Sequence, residues 1–402
     1  MSQHAPDAPS TRTDGALGVG AAPALARPRL QIGSFVPAAP VVLAPMAGVT
    51  NAPFRTMCRQ FAPGLIYVNE MVMATAVVHG NAKTDRMMTF TPEENPRSLQ
   101  VYGSDPVMIG EAIRRVTDAG RVDHIDINFG CPAAKVTRKG GGAAVPAKPN
   151  LLRAIVRSAV QAASPNQVPV TIKFRKGLTD DLLTFITTGR VAAEEGVAAI
   201  ALHARTAEQH YAGTADWNAI GELKAAVPEI PVLGNGDIWE AADAVAMMQA
   251  TGCDGVVVGR GCLGRPWLFA DLVEALNGRP VAPSPALGTV CDIMAAHARL
   301  LVGHLGENLA MRDFRKHTSW YFTGYPVGGE VRRRFSNVST FTELEDLIAA
   351  LDPTLRIVEG GERIRRGHTN GPIKVALPDG YLDHLDDLTV PDDADVMALS
   401  GG

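Results

Sequence analysis

The chain has 402 residues, more than one small domain needs and enough for a barrel of roughly 250 residues with a second unit attached. Hydrophobic residues make up 46% and charged residues 20%, an ordinary soluble globular balance, and no apolar run approaches the roughly 18 residues that cross a bilayer. A net charge of −4 speaks against a nucleic-acid binder only in bulk, because residues 371–402 hold seven acids (Asp379, Asp383, Asp386, Asp387, Asp392, Asp393, Asp395) against Lys374, a net of −6, which leaves residues 1–370 at +2.

Residues 1–34, an Ala/Pro/Gly/Thr stretch, predict a disordered tail and lack the basic start and apolar run of a signal peptide. Eight β-rich runs follow, each closing in turn residues: VVLAPMAG (41–48), LIYVNEMV (65–72), RSLQVYG (97–103), HIDINFGCP (124–132), VPVTIKFRKG (168–177), AAIALHART (198–206), IPVLGNGDIW (230–239) and DGVVVGRGCLG (254–264). Connectors such as DPVMIGEAIRRVTDAG and NLLRAIVRSAVQAA carry helical periodicity. Eight strand-plus-connector units over residues 35–278 predict an α/β fold of the (β/α)8 TIM-barrel type, with a doubly wound open sheet as the alternative. PVAPSPALG then reads as a hinge, 287–352 as a small helical domain, and 353–402 as a C-terminal extension whose acidic tail is loose beyond about 375.

Barrel chemistry gathers at the C-terminal ends of strands. Unusual residues stand there: Pro45-Met46-Ala47, Asn69-Glu70, Gln100, Asn128 and Cys131, Lys173 and Arg175, His203 and Arg205, Asn235-Gly236-Asp237, Gly259-Arg260. Gly259 to Gly264 matches G-x-G-x-x-G, but it lies on the last unit, and no acid-ended strand follows about 20 residues on. A phosphate site built from Gly234–Gly236 and Gly259–Gly261 suits that position better; glycines that merely turn corners are the plain alternative. Lys173 and Arg175 alternate on one strand and point into the mouth, where bases need an anionic partner. A reduced flavin, anionic along N1–C2=O, would serve, and so would a salt bridge to Asp126 or Glu70. His203 is either ligand-facing or a satisfied core histidine.

Five scattered cysteines without a C-x-x-C pair argue against a disulfide framework and against zinc, and point to a reducing cytoplasm. Cys58 and Cys253 suit core packing; Cys131, between Gly130 and Pro132 at the mouth, does not. No second Cys or His stands at ligand spacing, and His124 lies too far back along the strand to activate a nucleophile. A proton donor remains, since a thiol of pKa about 8.5 is mostly protonated at neutral pH.

The stretches APMAGVTNAPFR, NEMV, LQVYGSDP, INFGCPAAKVTRKGGGAAV, TIKFRKG, LHART, IPVLGNGDI and GVVVGRGCLGRPWLF, in this order, resemble the tRNA-dihydrouridine synthases, nearest the bacterial B-type branch. The resemblance runs over about residues 38–270, more loosely to about 350, and leaves both tails without a counterpart. It implies reduction of the uridine C5=C6 bond in the tRNA D-loop, dependent on FMN and driven by NADPH, with NADH the alternative. It implies Pro45, Met46, Ala47 and Gln100 along the flavin ring, Lys173 at its N1–O2 side, and His203 nearby. Asn235, Gly236, Asp237, Gly259 and Arg260 would hold the ribityl phosphate, and Asn128 and Arg175 would contact the uracil. Cys131 would be the general acid, protonating C5 while hydride passes from flavin N5 to C6.

A uridine in folded tRNA must be splayed out to react, so basic residues should ring the mouth. Candidates are Arg138 and Lys139, in a glycine loop that reads as mobile and RNA-facing, then Arg312, Arg315, Lys316, Arg332, Arg333 and Arg334. Trp320, Tyr321 and Tyr325 interleave as a stacking surface would, or as core aromatics behind a solvated face. Nothing in the sequence marks a metal site or a protein partner, and a monomer is expected. Competing readings are a flavin barrel acting on a free pyrimidine or enone, a non-catalytic tRNA-binding protein, and a barrel lyase or isomerase using only the phosphate site.

Overall fold

The computed structural model describes residues 29–367 and 370–390. Its eight strand positions close on themselves. Val41–Leu43 pairs on one side with Gly255–Val258 and on the other with Ile66–Tyr67. The second position is split: Val72–Met73 pairs forward to Ser98–Tyr102, and a bridge from Val68 to Ser98 joins the halves. His124–Phe129, Val170–Arg175, Ala199–His203 and Val232–Asn235 continue in order, each parallel to its neighbours, back to Gly255–Val258. This is the predicted TIM barrel, and its closure excludes the open doubly wound sheet. The helix read from DPVMIGEAIRRVTDAG forms at Pro106–Asp118, with Asp105 accepting from the Val107 and Met108 N–H groups and Pro106 in the first turn.

Side-chain alternation divides each strand between two cores. Val42, Ile66, Val68, Ala201, Leu233 and Val257 fill the barrel, while Val41, Leu43, Tyr67 and Val256 meet the surrounding helices. Leu30 and Ile32 complete the inner cluster at the barrel floor, so the expected disordered tail does not reach residue 34. Burying two such side chains contributes roughly 1.5–3 kcal/mol each, which offsets the entropy of ordering the segment. Residues 1–28 lie outside the described residues.

Leu287–Leu305, Glu307–Tyr321, Gly329–Phe335 and Phe341–Ala349 form the helical unit around a separate core containing Met294, Phe314, Phe322 and Phe335. Tyr321 and Tyr325 are 1% and 2% exposed, so they belong to that core and not to the expected stacking surface. The unit docks where Gly264, at φ +66, leaves room for the Trp320 backbone that a Cβ would overlap. Gly261 likewise admits the Ile238 carbonyl. Two glycines of the false nucleotide fingerprint are therefore there for close packing.

The C-terminal extension does not stay loose beyond 375. Ile373 N–H donates to the Glu208 carbonyl, and Tyr381 is buried among Ala143, Ala144, Ala147, Leu178 and Ala207. Asp392, Asp393 and Asp395 lie outside the described residues. Among the described residues no helix is long and apolar enough to cross a membrane.

Candidate active site

The mouth of the barrel holds a cleft of about 630 Å³. Pro45, Met46, Ala47, Gln100, Asn128, Cys131, Lys173, Arg175, His203, Asn235, Gly236, Asp237, Gly259 and Arg260 all line it. They come from seven different strand ends, as a barrel requires. Met71, Tyr211 and Trp239 line it too and were not assigned from sequence, and so do Lys316 and Trp320, which the sequence offered as a base at the mouth and a stacking aromatic.

Cys131 sits on a turn held from three sides. The Asn128 Oδ1 accepts from the Gly130 and Cys131 N–H groups at 3.0 and 2.9 Å. Arg175 Nε donates to the Gly130 carbonyl at 2.9 Å. From behind, Ala143 N–H donates to the Cys131 carbonyl, and a Cβ on Gly142, at φ +56, would lie 2.7 Å from that oxygen. The glycine segment is thus no mobile loop: Ala134–Thr137 is a helical turn, and residues 140–147 are buried beneath the thiol, which leaves Arg138 exposed. Burial pushes the Cys131 thiol above its ordinary value, against the Ala133 N–H, Arg175 and Lys135, so it stays protonated at neutral pH.

Arg175, expected at the base, already donates through Nη1 to the Thr206 and His210 carbonyls, so its main work here is to brace loops. Asn128 is likewise committed: its Oδ1 holds the turn and its Nδ2 reaches Gln100 Oε1 at 2.9 Å. Gln100 Nε2 in turn donates to Asp126, which also accepts from Thr171 Oγ1, both at 2.6 Å. Thr171 contacts His124 Nε2 at 2.9 Å, and Ser98 contacts His124 Nδ1 at 2.7 Å. Because Thr171 directs its proton to Asp126, His124 donates from Nε2 and accepts from Ser98. A continuous polar ladder therefore climbs the barrel interior to the thiol turn. Burial pushes Asp126 up to about 6 and His124 down to about 4. Lys173, beside this ladder, is pushed down to about 8 by burial and then by Arg175, with Asp126 opposing.

The opposite wall is cationic. His203 is held well below 6.5, and so neutral, by burial and by Arg175, Lys173, Arg205 and Arg260. Arg260 stacks 4.5 Å from the Tyr211 ring and 5.2 Å from Trp239, and burial followed by Arg205 pushes it down to about 10. Arg205, fully buried, donates from Nη2 to both Asp237 oxygens at 2.8 Å, and its Nη1 is buried without a partner. Asp237 is thus a brace for Arg205, not a free acid in the cleft. Gly236, at φ +134, has Ala215 where a Cβ would need 2.6 Å. An orphaned guanidinium donor, a second arginine and a glycine turn too tight for a side chain fit an anionic, phosphate-bearing group.

Other expected contacts lie elsewhere. Arg138 is exposed outside the cleft, and the Lys139 carbonyl accepts from Ser104. Arg332 Nη2 donates to the Phe322 and Tyr325 carbonyls, Arg333 pairs with Glu330, and Arg334 is exposed. These arginines lie on the helical unit, away from the cleft that Lys316 and Trp320 of the same unit help to line.

Residues 42–355 match the family model described as dihydrouridine synthase. The "Probable tRNA-dihydrouridine synthase" of Mycobacterium tuberculosis (strain ATCC 25618 / H37Rv) is 51% identical over 380 residues, covering 93% of this chain and 97% of that one. The protein of the same name from Mycobacterium leprae (strain TN) is 51% identical over 387 residues, 90% of this chain and all of its own length. The "tRNA-dihydrouridine synthase B" of Xanthomonas axonopodis pv. citri (strain 306) is 38% identical over 311 residues, 77% of this chain and 92% of the relative.

Proposed function

The chain belongs to the dihydrouridine synthase family, and on that premise we propose that it reduces the C5=C6 bond of D-loop uridines in tRNA, with Cys131 as the proton donor. The observation that carries this reading is the pairing, across one cleft, of a protonated thiol on a braced turn with a cationic, anion-ready wall. FMN, when bound, supplies the hydride, and NADPH restores it.

The chain's own residues do the rest. Arg260, the Gly236 and Gly259 backbone, Asn235, and Asp237 acting through Arg205 Nη1 would hold the phosphate. Pro45, Met46, Ala47 and Gln100 would border the ring, with Lys173 stabilising negative charge at its N1–O2 edge and His203, neutral, contributing a hydrogen bond. Asn128 sets the Cys131 turn and Arg175 braces it, and from the cleft wall both would border the base. Cys131 then gives its proton to C5. Trp320 and Lys316 close the cleft on the side of the helical unit, over which the tRNA would lie. Exposed Arg138, Arg333 and Arg334, with Lys139 and Arg332 beside them, would meet phosphates.

Mapping dihydrouridine in tRNA from a deletion strain tests the reaction. Loss at one or more D-loop positions, restored by the gene, is expected; unchanged tRNA overturns the assignment. The purified protein should also show a flavin absorbance spectrum.

A further inference from the structure

The matched family region ends at residue 355, yet a later segment is built into the walls of the cleft. Two contacts set its course. First, Tyr211 N–H donates to the Asn370 carbonyl at 3.1 Å and Ile373 N–H to the Glu208 carbonyl at 2.8 Å. Gly371, at φ +142, makes this approach feasible, because a Cβ there would overlap the Gln209 carbonyl. Second, the Tyr381 ring inserts beside Ala143 and Ala144, and its hydroxyl shares its proton between the carbonyls of Gly140 (3.2 Å) and Ala144 (3.4 Å). The Lys148 ammonium lies 4.7 Å over that ring and 3.7 Å from Asp387.

The segment Tyr381 grips is the one that backs the thiol. Gly142 and Ala143 press against the Cys131 carbonyl, and Gly140 and Gly142 sit at φ +69 and +56. Glycines and alanines bring little side-chain mass to anchor such a stretch, and glycine loses the most backbone freedom on ordering. Tyr381 supplies the apolar area and the hydrogen bond that the segment lacks.

We propose that residues 370–387 form a strap and that Tyr381 is a positioning residue for Cys131, holding the Gly140–Ala144 segment against the back of the thiol turn. This rests on the reading of Cys131 as proton donor. Proton transfer to a fixed carbon tolerates little displacement of the donor, so loosening the turn slows chemistry and spares binding made elsewhere.

The test uses full-length holoenzyme carrying Tyr381→Phe or Tyr381→Ala. Cys131 alkylation by iodoacetamide is followed by peptide mass spectrometry, the other four cysteines being buried. Tyr381→Phe keeps the ring and should speed alkylation about fivefold, the factor for removing one net hydrogen bond from the closed state. Tyr381→Ala should speed it further and lower kcat for tRNA, with KM and the flavin spectrum unchanged. Wild-type alkylation rates in both variants overturn the strap. If the alanine variant fails to fold, the phenylalanine variant decides alone. Faster alkylation in a protein whose wild type makes no dihydrouridine would keep the strap and sink the assigned reaction; unchanged alkylation beside normal dihydrouridine formation would do the reverse.

Discussion

Replacing Asp126 by asparagine probes the electrostatics of the barrel interior. Burial raises this carboxyl from 3.8 to about 6, although Thr171, Gln100 and Lys173 all favour its charge. Once the group ionises, that rise costs the folded state on the order of 3 kcal/mol. The folded value lies above the unfolded one, so the cost is absent below 3.8 and complete as pH rises past about 6. Asp126→Asn should therefore be more stable than wild type at pH 8 and lose that advantage near pH 4. The amide fits because the ladder can reverse. With Oδ1 toward Gln100, Nδ2 would face Thr171, whose hydroxyl turns to His124, and His124 moves its proton to Nδ1 and donates to Ser98.

The same change withdraws the one influence that raises Lys173, already down to about 8. Its ammonium should then persist only to a lower pH. The pH at which NADPH-driven flavin reduction falls off should therefore lie lower in the variant than in wild type, by about one unit. Denaturant melts at pH 8 and pH 4.5 and stopped-flow flavin reduction across pH 6–9 provide both readings. A variant less stable than wild type at pH 8, or an unmoved rate profile, would refute this reasoning.

Cys131→Ala should keep the flavin spectrum and NADPH oxidation while single-turnover reduction of tRNA falls about 10²–10⁴-fold; normal turnover would exclude the thiol as acid. Gly264→Ala places a Cβ at φ +66 against the Trp320 backbone and should cost about 2–4 kcal/mol, read as a lowered Tm. Arg333→Ala with Arg334→Ala should raise KM for tRNA, leave kcat unchanged, and flatten the salt dependence by about one unit of slope for each phosphate the arginines no longer neutralise. An unaltered salt slope would place the tRNA on another face.

The chemical types at the mouth were legible because strand ends announce themselves locally: a β-rich run, then glycine or proline, then a residue costly to bury. Eight such ends spaced by helical connectors already favour a closed barrel, and Gly130 and Pro132 already set Cys131 apart from the core cysteines as the thiol at its mouth. Which bonds each group makes was not legible. Arg175 and Arg205 occupy equivalent strand ends, yet one is consumed by the carbonyls of Gly130, Thr206 and His210, while the other keeps a buried donor unpaired. Tyr321 and Trp320 are neighbours in sequence, and only docking of the helical unit sends one into its core and the other to the cleft. A glycine is visible in any sequence, but not the backbone that approaches it: the Trp320 chain at Gly264 and the Cys131 carbonyl at Gly142. Tyr381 is the extreme case, an aromatic in an acidic segment whose hydrogen-bond partner lies 241 residues back along the chain. Short-range chemistry selects which residues stand at a strand end; which donors and acceptors they find there depends on groups that only the closed barrel brings within about 3 Å.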